Sequence, residues 1–181
     1  DPKRWAYTME TFTMACRVRD HLIEQMHEQG AHIAERSIYS GHYVFAKNSY
    51  ENGFLNDVEW QIYNEWFVFL TAKKCIAPQG FIYVRTTPEK AFERIQKRSR
   101  ADEATISLEY LTQIHTHHEQ FLVHKEGIAE NLRNVPVLIL EGDAEFESNE
   151  ALFFFFLAKI QAFIADHEIA LRKRAAPLLE L

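Results

Sequence analysis

Apolar residues recur at helical spacing from the first turn of the chain. Pro2 suits an opening helical turn, and Trp5, Met9, Phe12, Cys16 and Leu22 can line one face of a helix running toward Gly30. His32 to Ala34 is short and apolar enough for a weak strand. Ile38 to Tyr50 reads as a helix broken near Asn52-Gly53, and Asp57 is a plausible N-cap for another that carries Trp60, Tyr63, Trp66, Phe67 and Leu70. Gly80-Phe81-Ile82-Tyr83-Val84-Arg85 is aromatic, β-branched and bounded by Pro78 and Pro88, which predicts a buried strand. Thr87 before Pro88 starts the next helix, Ser107 before Leu108 starts another through about Asn131, and Val135 to Leu140 is the last clear strand. Phe153, Phe156, Leu157, Ile160, Phe163 and Ile164 return to helical spacing, as core or interface, before a basic tail from Leu171 that is expected to fray. Helices alternating with short strands predict an α/β fold with a mainly parallel sheet.

Composition narrows this picture. A chain of 181 residues that is 47% hydrophobic and 13% aromatic can bury one core, so a single domain over residues 1–181 is expected, with about 171–181 as its tail. The net charge of −6 supplies no general basic field, which argues against a nucleic acid polymer as partner and for a small substrate. Cys16 and Cys75 stand alone, without the spacing of a zinc or redox motif. A reducing compartment follows, the cytoplasm first and the mitochondrial matrix as the alternative. The longest strongly apolar run, Ala151 to Ala158, is far short of the roughly 18 to 20 residues that span a bilayer, so no membrane partner is expected. The chain opens at Asp1 without an initiator methionine, and sequence upstream of it is expected.

Two places concentrate charge where an α/β sheet gathers ligands. Glu35-Arg36-Ser37 follows the first expected strand, where a guanidinium can fork onto phosphate and a carboxylate can orient it or join a metal shell. Arg94, Lys97, Arg98 and Arg100 collect at the end of a helix and the start of a loop, beside Asp102-Glu103. Arg94 and Arg98 share a helical face and Arg100 leaves it. Each cluster also has a plain structural reading, as a salt-bridged strand exit and as a basic helix end favoured by the macrodipole. His115 and His118 lie on one face, but no Asp or Cys set completes a metal site around them.

The segment from Glu35 through Gly41-His42-Tyr43-Val44-Phe45-Ala46-Lys47-Asn48 resembles the substrate signature of the deoxynucleoside kinases. Arg4-Trp5-Ala6-Tyr7-Thr8-Met9-Glu10-Thr11-Phe12 is similar to that family's base-reading helix. Arg98 to Glu103, then Leu108-Glu109-Tyr110-Leu111, His115, His118 and Glu119, is similar to its arginine-rich lid and following helix. These blocks keep the family's order from about residue 2 to residue 147.

The resemblance implies a kinase-like parallel sheet flanked by helices, with ATP and Mg as cofactors, a deoxynucleoside as substrate and a homodimer as assembly. It implies that Glu35 takes the proton from the sugar 5′-hydroxyl or shares the Mg shell, and that Arg36 holds phosphate. Arg98 and Arg100 would close over the phosphates, Arg94 would lie near the adenine with Glu145-Phe146, and Glu103 would bond the sugar 3′-hydroxyl. Glu10 and Arg17 would read the base and Phe45 would stack on it. Trp60 and Trp66 would serve packing, including packing across a helical dimer interface.

Three departures qualify this. None of the six glycines is followed by Lys-Ser or Lys-Thr, so the phosphate loop is missing. The family places that loop and the first strand upstream of Asp1, and the 181 residues alone are expected not to phosphorylate a nucleoside. A noncatalytic relative, such as the kinase-like accessory subunit of respiratory complex I, is the alternative; the phosphate-clamp residues favour the kinase. Glu10 stands in place of the family's usual glutamine, and as a carboxylate it suits the paired N–H donors of guanine. Gly41 stands where purine- and cytidine-preferring relatives carry an aspartate and thymidine-accepting ones a small residue. Arg17 is then left to pair with the base or with Glu10, and both readings remain.

Overall fold

The computed structural model describes residues 1–26, 32–35, 37–146 and 148–175, with side chains as far as residue 166. Two compact units emerge: Asp1–Ala77 with Thr105–Arg133, and Pro78–Ala104 with Asn134–Leu181.

The first unit is helical. Asp1 caps α1 (Pro2–Glu24) by accepting from the Arg4 N–H at 3.2 Å, with Pro2 in the first turn. Its buried residues are Met14 and Val18. Trp5, Met9 and Phe12, expected as the buried face, are 52%, 58% and 65% exposed. The helix carries two apolar stripes, and period alone does not choose which one meets α4 (Asp57–Lys73).

His32 to Ala34 forms no strand, because among the described residues no neighbouring strand supplies its backbone with partners. After the Ser37 cap come α2 (Ile38–Ser40), a π-helical stretch Gly41–Ala46, and α3 (Lys47–Glu51), which ends at Asn52-Gly53 with Gly53 at φ 69°. The helix over Ile38 to Tyr50 is therefore present, widened in the middle. Asp57 is the first residue of α4 rather than its cap. Asn56 accepts from Glu59 N–H at 3.0 Å while the Glu59 carboxylate accepts from Asn56 N–H at 2.9 Å.

The core of this unit is aromatic. His42 stacks on Phe67 with ring centroids 3.7 Å apart, and Trp60 and Tyr63 continue the near-parallel set. Burial, aided by nearby Lys47, pushes the His42 imidazole down to about 3, so it is a neutral core ring. Trp60 also stacks on Tyr50, whereas Trp66 is 52% exposed. From Ser107, α6 (Leu108–His118) runs into a second π-helical stretch, Glu119–His124. Lys125 then turns left-handed at φ 58°, ending the helix before Asn131; α7 (Glu130–Arg133) is separate.

The second unit holds the sheet. β1 (Phe81–Arg85) and β2 (Val137–Glu141) pair in parallel with Tyr83 opposite Ile139, and Arg85 pairs with Glu141 across the last rung. Only Tyr83 of β1 is buried, so the expected buried strand is half-covered among the described residues. Thr87 caps α5 (Pro88–Arg98), with Pro88 at the first position. Along α8 (Glu150–Ala175), Phe156, Ile160, Phe163 and Ile164 are partly buried while Phe153 and Leu157 are exposed. A Cβ on Gly80 would come within 2.7 Å of the Phe163 ring, so that glycine lets α8 approach the start of β1. The frayed end expected from Leu171 is helical backbone as far as Ala175. The α/β class and the parallel pairing thus agree with the sequence reading.

Candidate active site

In the first unit, α1 and the π-widened helix bring Glu10, Arg17, Gly41 and Ser49 together. Ser49 Oγ donates to Glu10 Oε1 at 3.0 Å. Burial raises the Glu10 carboxyl above the usual range, and the Ser49 bond and the Arg17 charge pull partly the other way. Arg17 Nη1 donates to Ser37 O at 3.4 Å, and a Cβ on Gly41 would lie 2.6 Å from the same nitrogen. The guanidinium therefore fills the space that a side chain at position 41 would take. The Arg17 charge acts on the Glu10 carboxyl, while the hydroxyl that donates to it, Ser49, has no signal in the sequence reading. Helical period does not reveal it, because the π-helical stretch adds residues to the turns separating it from Gly41.

Phe45 belongs to that stretch. Its ring is half-buried and meets His118 edge-on, with centroids 6.2 Å apart. Glu35 is exposed, two residues before the Ser37 cap. Arg36 lies outside the described residues. Among those described, no three His, Cys, Asp or Glu residues gather as a metal cage. Mg carried on nucleotide phosphates asks for only one or two carboxylates, a demand that Glu35 fits. Of the α6 histidines, His117 is buried beside Glu51 at 3.3 Å, and His118 Nδ1 donates to Ile114 O at 2.9 Å.

In the second unit, the charged helix end has definite partners. Arg98 grips Glu103 with Nε at 3.0 Å and Nη2 at 2.7 Å, and Arg100 Nη1 stands 3.7 Å from the same carboxylate. A fork of this kind is how arginine meets carboxylate or phosphate. Ile95, Gln96, Ser99, Arg100 and Glu103 border a cavity of about 220 Å³. Arg94 Nη2 donates to Asp143 O at 3.1 Å and Ala144 O at 3.2 Å, and Asp143 Oδ1 accepts from Thr87 N–H at 2.8 Å. Arg94 is thereby tied to the loop after β2 that carries Glu145 and Phe146. Glu145 is exposed, while Phe146 packs on Phe156 with centroids 5.9 Å apart. The family resemblance groups these three; the Asp143 and Ala144 carbonyls that hold Arg94 are not legible in the sequence.

The family model for deoxynucleoside kinase matches residues 1–165. The chain is 42% identical to the mitochondrial deoxyguanosine kinase of Xenopus laevis over 174 residues, covering 91% of this chain and 66% of that protein. It is 39% identical to deoxycytidine kinase 2 of Gallus gallus, with the same coverage, and 34% identical to the deoxycytidine kinase of Mus musculus, covering 91% of this chain and 65% of the relative. The chain thus spans just under two thirds of the length of these relatives. With a family model over most of its residues and relatives at these identities, the chain belongs to the deoxynucleoside kinase family.

Proposed function

We propose that the complete protein transfers the γ-phosphoryl group of ATP to the 5′-hydroxyl of a deoxyribonucleoside, a salvage reaction, and that residues 1–181 are part of its one kinase-like domain. The observation that carries this reading is the convergence of Arg98 and Arg100 on one anion, the Glu103 carboxylate. Phosphoryl transfer asks the protein for positive charge and positioning around a group whose charge spreads over its oxygens. In this reading Glu103 yields the two guanidiniums to phosphate and turns to the sugar 3′-hydroxyl.

Glu35 accepts the 5′-hydroxyl proton, and its carboxylate is also the candidate to share Mg, which would neutralise phosphate charge. Arg36 holds phosphate. Arg94, Glu145 and Phe146 form the side of the donor base. Glu10 and Arg17 face the nucleobase, with Phe45 stacked against it. The names of the relatives, deoxyguanosine and deoxycytidine kinases, support the substrate class. The exposed row Val58, Ile62, Trp66 and Phe69 on α4 supports a homodimer through that helix. No described helix is long and apolar enough to cross a membrane. The cytoplasm or the mitochondrial matrix is the proposed location, the latter supported by the Xenopus relative.

Base preference tests the reading. Ionised Glu10 offers acceptors only, which suits the N1–H and N2–H of guanine; Gln offers one donor and one acceptor, which suits cytosine. Leaving one buried polar group unmatched costs about 1 to 3 kcal/mol, so Glu10→Gln is expected to shift the ratio of specificity constants toward deoxycytidine by roughly tenfold. Burial raises the Glu10 carboxyl, and its protonated form resembles the amide. The wild-type preference for deoxyguanosine is therefore expected to grow as pH rises and Glu10 ionises, while Glu10→Gln lacks this titration. Steady-state kinetics of both variants with both nucleosides across pH decide it. An unchanged ratio removes Glu10 from the base, and no turnover of either nucleoside by the complete wild-type protein overturns the kinase reading.

A further inference from the structure

The arginine cluster depends on one backbone conformation. Ser99 has φ 51° and ψ 41°, and with Lys125 it is one of two non-glycine residues at positive φ among the described residues. Side chains other than Asn and Asp rarely enter this left-handed region, and β-branched ones least of all. Here the conformation is anchored at two points. Ser99 N–H donates to Ile95 O at 3.0 Å, and Ser99 Oγ donates to Gln96 O at 2.6 Å. One residue thus satisfies two of the last carbonyls of α5. Arg100 follows in extended conformation, and a single 3₁₀ turn brings Glu103 N–H back to Arg100 O at 3.0 Å.

Were α5 to continue, Arg98 and Arg100 would stand about 160° apart around its axis, and Arg98 and Glu103 about 140° apart. No single anion could then meet both guanidiniums. The reversal at Ser99 removes that separation, and both arginines reach one carboxylate, Arg98 in a fork and Arg100 at 3.7 Å. Ser99 and Arg100 also border the cavity beside Glu103.

We propose that Ser99 is the positioning residue of this arginine pair: its left-handed turn makes Arg98 and Arg100 converge on one anion, Glu103 in this state and phosphate during transfer. The catalytic part rests on the kinase reading above; the convergence itself does not.

The two parts are tested separately in the full-length protein. Ser99→Val disfavours the turn, whereas Ser99→Gly and Ser99→Asn accept it. The first readout is the Arg98 Nε–H resonance in a ¹H–¹⁵N spectrum, assigned by its loss in Arg98→Lys, which reports the carboxylate contact without any turnover. Ser99→Val is expected to move this resonance to the position it takes in Glu103→Gln, and Gly and Asn are expected to leave it near the wild-type position. The second readout is steady-state kinetics, in which Ser99→Val is expected to lower kcat by about tenfold or more with a smaller change in nucleoside KM, and Gly and Asn to recover most of the loss. An unmoved Arg98 resonance in Ser99→Val, or equal losses in all three variants, would overturn the proposal. If the wild type phosphorylates no nucleoside, the kinase reading falls while the resonance still decides the convergence. Should Ser99→Val fail to fold by circular dichroism, Ser99→Ala against Ser99→Gly makes the same comparison, since alanine also carries the Cβ that disfavours the turn.

Discussion

Glu35→Gln in the complete protein is expected to lower kcat by roughly 100-fold or more, the usual worth of a positioned general base. The amide keeps the size of the side chain but cannot take the 5′-hydroxyl proton, and it is a poorer ligand for a divalent cation. Glu35 is exposed and no part of the core, so the change should leave the thermal midpoint close to the wild-type value. Steady-state kinetics separate this role from a structural one: a folded Gln variant that retains the wild-type rate would move the proton acceptor elsewhere.

Arg98→Ala is expected to lower turnover by about 100-fold or more with little change in nucleoside affinity. A guanidinium that meets charge chiefly while it spreads over the transferred group stabilises the transition state more than the bound substrate. In the structure this side chain forks onto Glu103, so its loss would leave that carboxylate only the Arg100 guanidinium, 3.7 Å away, among the contacts seen here. Arg98 is about half exposed, and exposed ion pairs contribute little to folding, so the effect should be kinetic. Steady-state kinetics with a nucleoside titration check both parts. An unchanged kcat with only a higher nucleoside KM would assign Arg98 to substrate binding instead.

Local signals in the sequence served the fold well where the competing interactions were local. Thr87 and Ser107 cap their helices because each side-chain oxygen meets the third amide of its own first turn. Asp57 missed by one position because Asn56, with Glu59 three residues on, makes the reciprocal pair that an isolated Asp cannot. His32 to Ala34 failed as a strand because a strand is defined by its neighbour, which composition does not supply. The two π-helical stretches were invisible, since they change the number of residues per turn without changing which residues are apolar.

For the candidate site, the residue types were legible and their pairings were not. Arg98 and Glu103 are five apart, a spacing that α-helical geometry does not bring together, and they meet across the left-handed Ser99 and the 3₁₀ turn that follows it. Glu10 and Ser49 are 39 residues apart and meet through packing of α1 against the widened helix. Gly41 could be read as a departure, but not that the Arg17 guanidinium occupies its vacant side.

The most direct test of the central claim is transfer itself. The complete protein, incubated with γ-labelled ATP and Mg and each of the four natural deoxynucleosides, is expected to place label on the 5′-oxygen of at least one, with Arg98→Ala reducing that rate by about 100-fold. Absence of labelled 5′-monophosphate from all four, with ATP bound and the protein folded, would contradict the account.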